Sequence, residues 1–141
     1  MKHHVDRIVH AFETLTPAVV PALDTVYAAD ARFVDPFNDV RGVPAIQHIF
    51  LHMYANLEQP RFLITNRIVQ ERQCFLTWEF RFGFKRFNMG KEQCIVGGSH
   101  LRLDGSGLIV LHHDYWDAAE LYDQLPLFGR ITLWLRKQAR Q

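Results

Sequence analysis

Between residues 73 and 87 the side chains alternate with a period of two. Trp78, Phe80, Phe82 and Phe84 fall on one side, and Thr77, Glu79, Arg81 and Lys85 on the other. Such a segment is an extended strand with one aromatic face, and that face has to be covered by something. No other stretch restricts the possible folds as strongly. Asn88-Met89-Gly90 follows as turn chemistry, residues 92–103 read as the next strand, and Asp104-Gly105-Ser106-Gly107 is a second strong turn. On the other side, residues 61–71 carry Phe62, Ile64, Ile68 and Val69 and read as a further strand. The pattern predicts a meander of long antiparallel strands. Gly97-Gly98, inside one of them, predicts a bulge or a sharp bend.

The last strand of the run lies in residues 107–121, GLIVLHHDYWDAAEL. Period-two alternation puts Val110, His112, Asp114 and Trp116 on one face, and Leu111, His113, Tyr115 and Asp117 on the other. Asp117 followed by Glu120 is a capping-box-like start for a helix. A His and an Asp two apart, beside a Trp and facing one way, are costly to bury in a plain core. If that face points inward, it lines a cavity.

Ahead of the strands the period changes. Val5, Ile8, Val9 and Phe12 repeat at i, i+3, i+4, i+7 and predict an amphipathic first helix. Thr16-Pro17 supplies an N-cap and an N1 proline for a second, short helix with Val20, Leu23, Val26 and Tyr27 on its buried side. Residues 31–35 read as a short strand ended by Pro36, with a loop over residues 38–42. Pro44 opens a third helix with a stripe of Ile46, Ile49, Phe50, Met53, Tyr54 and Leu57, closed by Pro60. A terminal helix, interrupted at Leu125-Pro126 and eased by Gly129, has Leu127, Ile131, Trp134 and Leu135 on its apolar side. The order gives an α+β fold. It consists of a strongly curved antiparallel sheet with helices packed on one face and an aromatic-lined hollow between.

With 141 residues, the chain reads as a single domain over residues 1–141. A net charge of +1 gives no electrostatic case for nucleic acid or an anionic membrane surface. Arg136, Lys137 and Arg140 cluster near the C-terminus and read as a solvated helix end. No stretch approaches the ~20 apolar residues of a membrane span, and the first residues lack the continuous apolar run of a signal peptide. Two cysteines, Cys74 and Cys94, are too few for a small disulfide scaffold, and pairing about the turn sets Cys94 opposite roughly residue 85. Both are expected reduced, in a cytoplasmic setting. His48 and His52 have metal-ligand spacing but lie off the apolar stripe, so they are expected to face solvent and no metal is expected. No phosphate loop, nucleophile elbow or CxxC is present, and no cofactor is expected.

Two segments, ARFVDPFNDVRG at residues 31–42 and SHLRLDGSGLIVLHHDYWD at residues 99–117, resemble the nuclear transport factor 2-like superfamily. The closer match is its ketosteroid isomerase-like and polyketide cyclase-like (SnoaL-like) branch. The resemblance runs from the first helix to Tyr115. It implies a cone of curved sheet around an elongated pocket, and a homodimer through the outer sheet face. It sets Asp35, before Pro36, at the general-base position of the isomerases. It sets Ser99 where they keep a protonated aspartic acid in the oxyanion hole. Their first-helix tyrosine has no counterpart, Phe12 being the nearest aromatic. Loss of one such donor costs about 10²–10³ in rate, so the pattern departs from ketosteroid isomerisation itself.

His112 and Asp114 are then the groups that the resemblance turns towards the pocket. Residues i and i+2 of a strand share a face and can share a ligand, so the two are candidates for an acid/base pair. Asp35, between Phe33 and Phe37, is a candidate base whose apolar setting raises its pKa, or a turn residue before proline. Ser99, Trp116, Tyr54, Phe80, Phe82 and Trp78 are candidate ligand contacts. The expected ligand is a small apolar molecule. The function is then either cofactor-free proton transfer of the isomerase, cyclase or dehydratase type, or non-catalytic ligand or protein binding on the same fold.

Overall fold

The computed structural model describes residues 1–86 and 90–123. Helix α1, Lys2–Glu13, buries Val5, Ile8, Val9 and Phe12, the positions its periodicity predicts. It is held from several sides. Glu13 Oε2 accepts the Ile64 N–H at 3.0 Å, Asp6 pairs with Arg67, and Arg7 donates to the carbonyls of Thr25 (2.8 Å) and Gly107 (3.0 Å). The predicted second helix is only a 3₁₀ turn, Val20–Thr25, with Pro21 in its first positions. Proline has no N–H to continue a helix, and here it confines the turn to one short piece. Tyr27, assigned by its spacing to that helix, instead opens strand β1, Tyr27–Val34.

The loop predicted at residues 38–42 contains a short strand β2, Asp39–Arg41, paired antiparallel to β1 and pinned by the Arg32–Asp39 ion pair. Helix α2, Val43–Asn56, buries Val43, Ile46 and Phe50. It ends before Pro60, not at it. Asn56 Nδ2 donates to the His52 carbonyl at 2.7 Å and terminates the helix, and the backbone turns directly into strand β3, Leu57–Gln70. Pro60 sits inside β3, where the register to the next strand shifts between Glu58 and Arg61. A proline is tolerated there because β3 is an edge strand and the shift frees its missing N–H.

Strands β4, Gln73–Phe84, β5, Gln93–Leu103, and β6, Ile109–Trp116, follow as an antiparallel meander. The sheet order is β2-β1-β6-β5-β4-β3, a curved sheet that does not close. One pairing departs from the expected all-antiparallel sheet: β1 runs parallel to β6, with Phe33 beside His112 and Val34 beside His113. On β4 the alternation holds, and Cys74, Leu76, Trp78, Phe82 and Phe84 are all buried.

Gly97 and Gly98 form no bulge, because the register runs through them unbroken. They are small for another reason. A Cβ on Gly97 would lie 2.6 Å from the Trp78 ring, and one on Gly98 would lie 2.5 Å from Phe75. The irregularity falls further along, between Arg102 and Leu103, and turns Ile109 into the core while Val110 is only half-buried. Cys94 lies opposite Arg81 rather than residue 85, and the two cysteines are not joined by a disulfide. The Asp104–Gly107 turn forms as predicted, with Asp104 Oδ1 accepting the N–H groups of Ser106 and Leu108. Asp117 caps the short helix α3, Ala118–Asp123, by accepting the Ala119 N–H at 2.9 Å. The turn residues Asn88 and Met89 and the terminal helix predicted around residues 125–140 lie outside the described residues. Among the described residues no helix is long and apolar enough to cross a membrane.

Candidate functional site

The helices leave two adjoining hollows against the inner face of the sheet. The larger, about 160 Å³, is walled by Phe33, Phe37, Phe50, Phe62, Trp78, Phe80, Phe82, Phe84 and Trp116 with a few aliphatic side chains. Its polar lining among the described residues consists of Asp35, Asn38, His52 and Asp114. The smaller, about 20 Å³, lies behind it and is lined by Phe12, Leu76, Ser99, His112 and Asp114 among others. Asp114 therefore belongs to both.

The parallel pairing brings the two carboxyls together. Phe33 and Val34 lie beside His112 and His113, and the next residue in each strand is Asp35 and Asp114. Adjacent strands are about 4.8 Å apart. Asp35 is part of an Asx turn around Pro36. Its Oδ1 accepts the Phe37 N–H at 2.8 Å and the Asn38 N–H at 2.7 Å, and Asn38 Nδ2 donates to both oxygens at 3.1 and 3.2 Å. Burial pushes the Asp35 carboxyl above its ordinary pKa and the charge of Asp114 adds to this, against the lowering effect of the Phe37 and Asn38 hydrogen bonds. Both readings of Asp35 thus hold in one residue, a turn cap and a carboxyl displaced in pKa.

Asp114 is held differently. Its Oδ1 accepts from Ser99 Oγ and lies 2.6 Å from His112 Nε2. Trp78 Nε1 donates to Ser99 Oγ at 2.9 Å, and the Tyr27 hydroxyl lies 2.6 Å from His112 Nδ1. The His112 ring is buried, with the Phe33 ring centre 4.6 Å away and the Phe12 edge at 5.5 Å. Tyr27 is completely buried, and burial first, then the charge of Asp114, holds its hydroxyl well above its ordinary pKa.

Of the residues singled out from sequence, Asp35, Asp114, Trp78, Phe80, Phe82 and Trp116 line the larger cavity. His112 and Ser99 line the smaller one. Tyr54 lines neither. It packs on the main core, its carbonyl accepts from Lys85 Nζ at 3.0 Å, and burial pushes its hydroxyl pKa up to about 12. His113 is on the outer face, stacked on Tyr115 at 4.1 Å. His52, expected in solvent, lines the cavity, while His48 is exposed. Among the described residues no group of three ligand-type side chains could hold a metal.

Sequence reasoning missed Tyr27, Asn38 and His52. Asn38, three residues after Asp35 and beyond a proline, was readable as an Asx-turn partner. His52 shares the helix side of Ile49 and Met53 at neighbouring positions, a weak signal. Tyr27 had none, because a shift in the β1–β6 register between Tyr27 and Arg32 hides its face.

The SnoaL-like domain family matches residues 5–112. Among solved structures, a hypothetical protein with a ketosteroid isomerase-like fold from Catenulispora acidiphila, in complex with trimethylamine, is 20% identical. The match covers 89% of this chain and 93% of that one, with a TM-score of 0.74. A nuclear transport factor 2-like protein of unknown function from Burkholderia pseudomallei is 16% identical over 89% of this chain and 97% of the other, with a TM-score of 0.74. A candidate polyketide cyclase from Pseudomonas putida is 11% identical over 86% and 95%, with a TM-score of 0.72. No curated protein matches in sequence. At such identities the structural likeness establishes the fold, and the family match over most of the chain does the rest: this protein belongs to the SnoaL-like domain family, with a nuclear transport factor 2-like fold.

Proposed function

We propose that this protein takes a small apolar molecule into the aromatic cavity and moves a proton on it without a cofactor, with Asp114 as the base. The observation that carries this reading is the convergence of two carboxyls, Asp35 and Asp114, on one aromatic hollow. Asp114 is the better base. Its Oδ1 takes the hydrogen bonds of Ser99 and His112, and Oδ2 makes none among the described residues. Asp35 has both oxygens engaged by its own turn. The aromatic walls hold and orient the substrate, and their exclusion of water strengthens the electrostatics inside. The work takes place in the cytoplasm.

A proton-transfer enzyme exchanges hydrogen with solvent even where its full reaction is unknown. A panel of apolar ketones, lactones and phenols incubated with the protein in D₂O, followed by NMR, should show protein-dependent deuterium uptake at an acidic C–H of at least one compound. Asp114→Asn should reduce the rate by about 10²-fold or more with the fold retained. Unchanged exchange in Asp114→Asn ends the reading of Asp114 as base.

A second reading, binding without turnover, is favoured by one observation: the described lining contains two carboxyls and no Lys or Arg. That wall suits an amine, whose cation is attracted to aromatic faces and to carboxylates. The Catenulispora relative was solved with trimethylamine. Under this reading, small alkylammonium ions bind and quench the fluorescence of Trp78 and Trp116, and no compound exchanges deuterium.

A further inference from the structure

The directions of the hydrogens around Asp114 follow from its neighbours. Trp78 Nε1 can only donate, so Ser99 Oγ accepts at 2.9 Å and turns its own hydrogen towards Asp114 Oδ1. On the other side, His112 stands between the Tyr27 hydroxyl at Nδ1 and the carboxyl at Nε2, each at 2.6 Å. If the His112 proton sat on Nδ1, the bare Nε2 lone pair would face a carboxylate oxygen. If Nδ1 donated to Tyr27, the tyrosine hydrogen would have to find another acceptor. Among the described residues Nδ1 is the acceptor within its reach, and an unmet buried donor costs about 1–3 kcal/mol. Burial also disfavours the phenolate, so the hydroxyl keeps the hydrogen it donates.

We propose that Tyr27 is a positioning residue that fixes His112 with its proton on Nε2. His112 and Ser99 then both donate to Oδ1 of Asp114, and Oδ2 is left as the basic atom. This rests on the reading of Asp114 as the base. Tyr27 touches no substrate in that scheme; it acts through the imidazole. Phe12 and Phe33 flank the ring. Four strands supply the parts: Tyr27 from β1, Trp78 from β4, Ser99 from β5, and His112 with Asp114 from β6. Asp35 is a further ionisable group lining the same cavity as Asp114, and its carboxyl feels the charge of Asp114.

The test reads the ring directly. In ¹⁵N-labelled full-length protein at neutral pH, the His112 side chain, assigned with a His112→Gln variant, should show an unprotonated Nδ1 and a protonated Nε2. In Tyr27→Phe the Nδ1 shift should move towards that of a tautomer mixture, and deuterium exchange on a responsive compound should fall about tenfold. A wild-type proton on Nδ1, or a His112 spectrum unchanged in Tyr27→Phe, overturns the proposal. If Tyr27→Phe does not fold, the wild-type spectrum alone decides between the tautomers. A proton on Nε2 together with normal exchange in Asp114→Asn supports the positioning role of Tyr27 while ending the functional reading, so the two can fail separately.

Discussion

At the scale of single residues, Asp35 carries a consequence for stability. Its folded-state pKa lies above the ordinary value of 3.8, chiefly through burial. The folded protein therefore binds the proton more tightly than the unfolded chain. That contribution is fully present below the unfolded pKa and is lost as pH rises through the folded one. At neutral pH the ionised carboxyl is a cost, which Asp35→Asn removes while its amide oxygen can still cap Phe37 and Asn38. Thermal melts should show Asp35→Asn more stable than the parent at pH 7 by about 2–4 °C, with the difference shrinking as pH falls through the raised folded-state pKa and gone below the unfolded value of about 3.9. A variant less stable at pH 7 would mean that the turn needs both oxygens. The apolar setting of this residue, between Phe33 and Phe37, was already readable in sequence. The bonds of its turn were half readable, through Asn38. The charge beside it was not, because residues 35 and 114 meet only through a strand pairing that local periodicity does not report.

At the scale of elements, β4 was legible through its alternation, β5 through the turns on either side of it, and α1 through its stripe. Short or interrupted elements were not. The 3₁₀ turn, the three residues of β2 and the proline inside β3 all depend on partners distant in sequence. Gly97 shows how such a partner decides a residue. It lies where β5 passes under the Trp78 ring, and a methyl group there would meet ring carbons at 2.6 and 2.9 Å. Gly97→Ala should cost about 1–3 kcal/mol in chemical denaturation by overpacking. It should also shift the near-ultraviolet circular dichroism of Trp78, since the indole has to move. A silent substitution would mean that the strand yields locally.

At the scale of the whole molecule, the sheet has an inner face that the helices cover and an outer face that they do not. The outer face carries exposed Leu63 and Ile68 on β3, Val96 on β5 and Tyr115 on β6, with Phe75 of β4 near Tyr115. Large apolar side chains exposed on one sheet face, here interleaved with Glu79, are a candidate interaction surface. The family resemblance implies that a second copy of the chain covers it. Sedimentation should show a dimer for the parent and a monomer for the Val96→Glu/Tyr115→Lys double variant, both folded; a monomeric parent refutes it. The family and its curved sheet were visible in sequence because the long strands and the first helix dominate the chain. The exact joining of its early and late segments was not. That joining, β1 lying parallel against β6, fixes an order of events in time. The two carboxyls, Asp35 and Asp114, are about eighty residues apart in sequence and come together only when the two remote strands meet, a contact that closes a far longer loop than any of the local hairpins. With Asp114 as the base, proton exchange should therefore return on refolding only after the hairpins have formed.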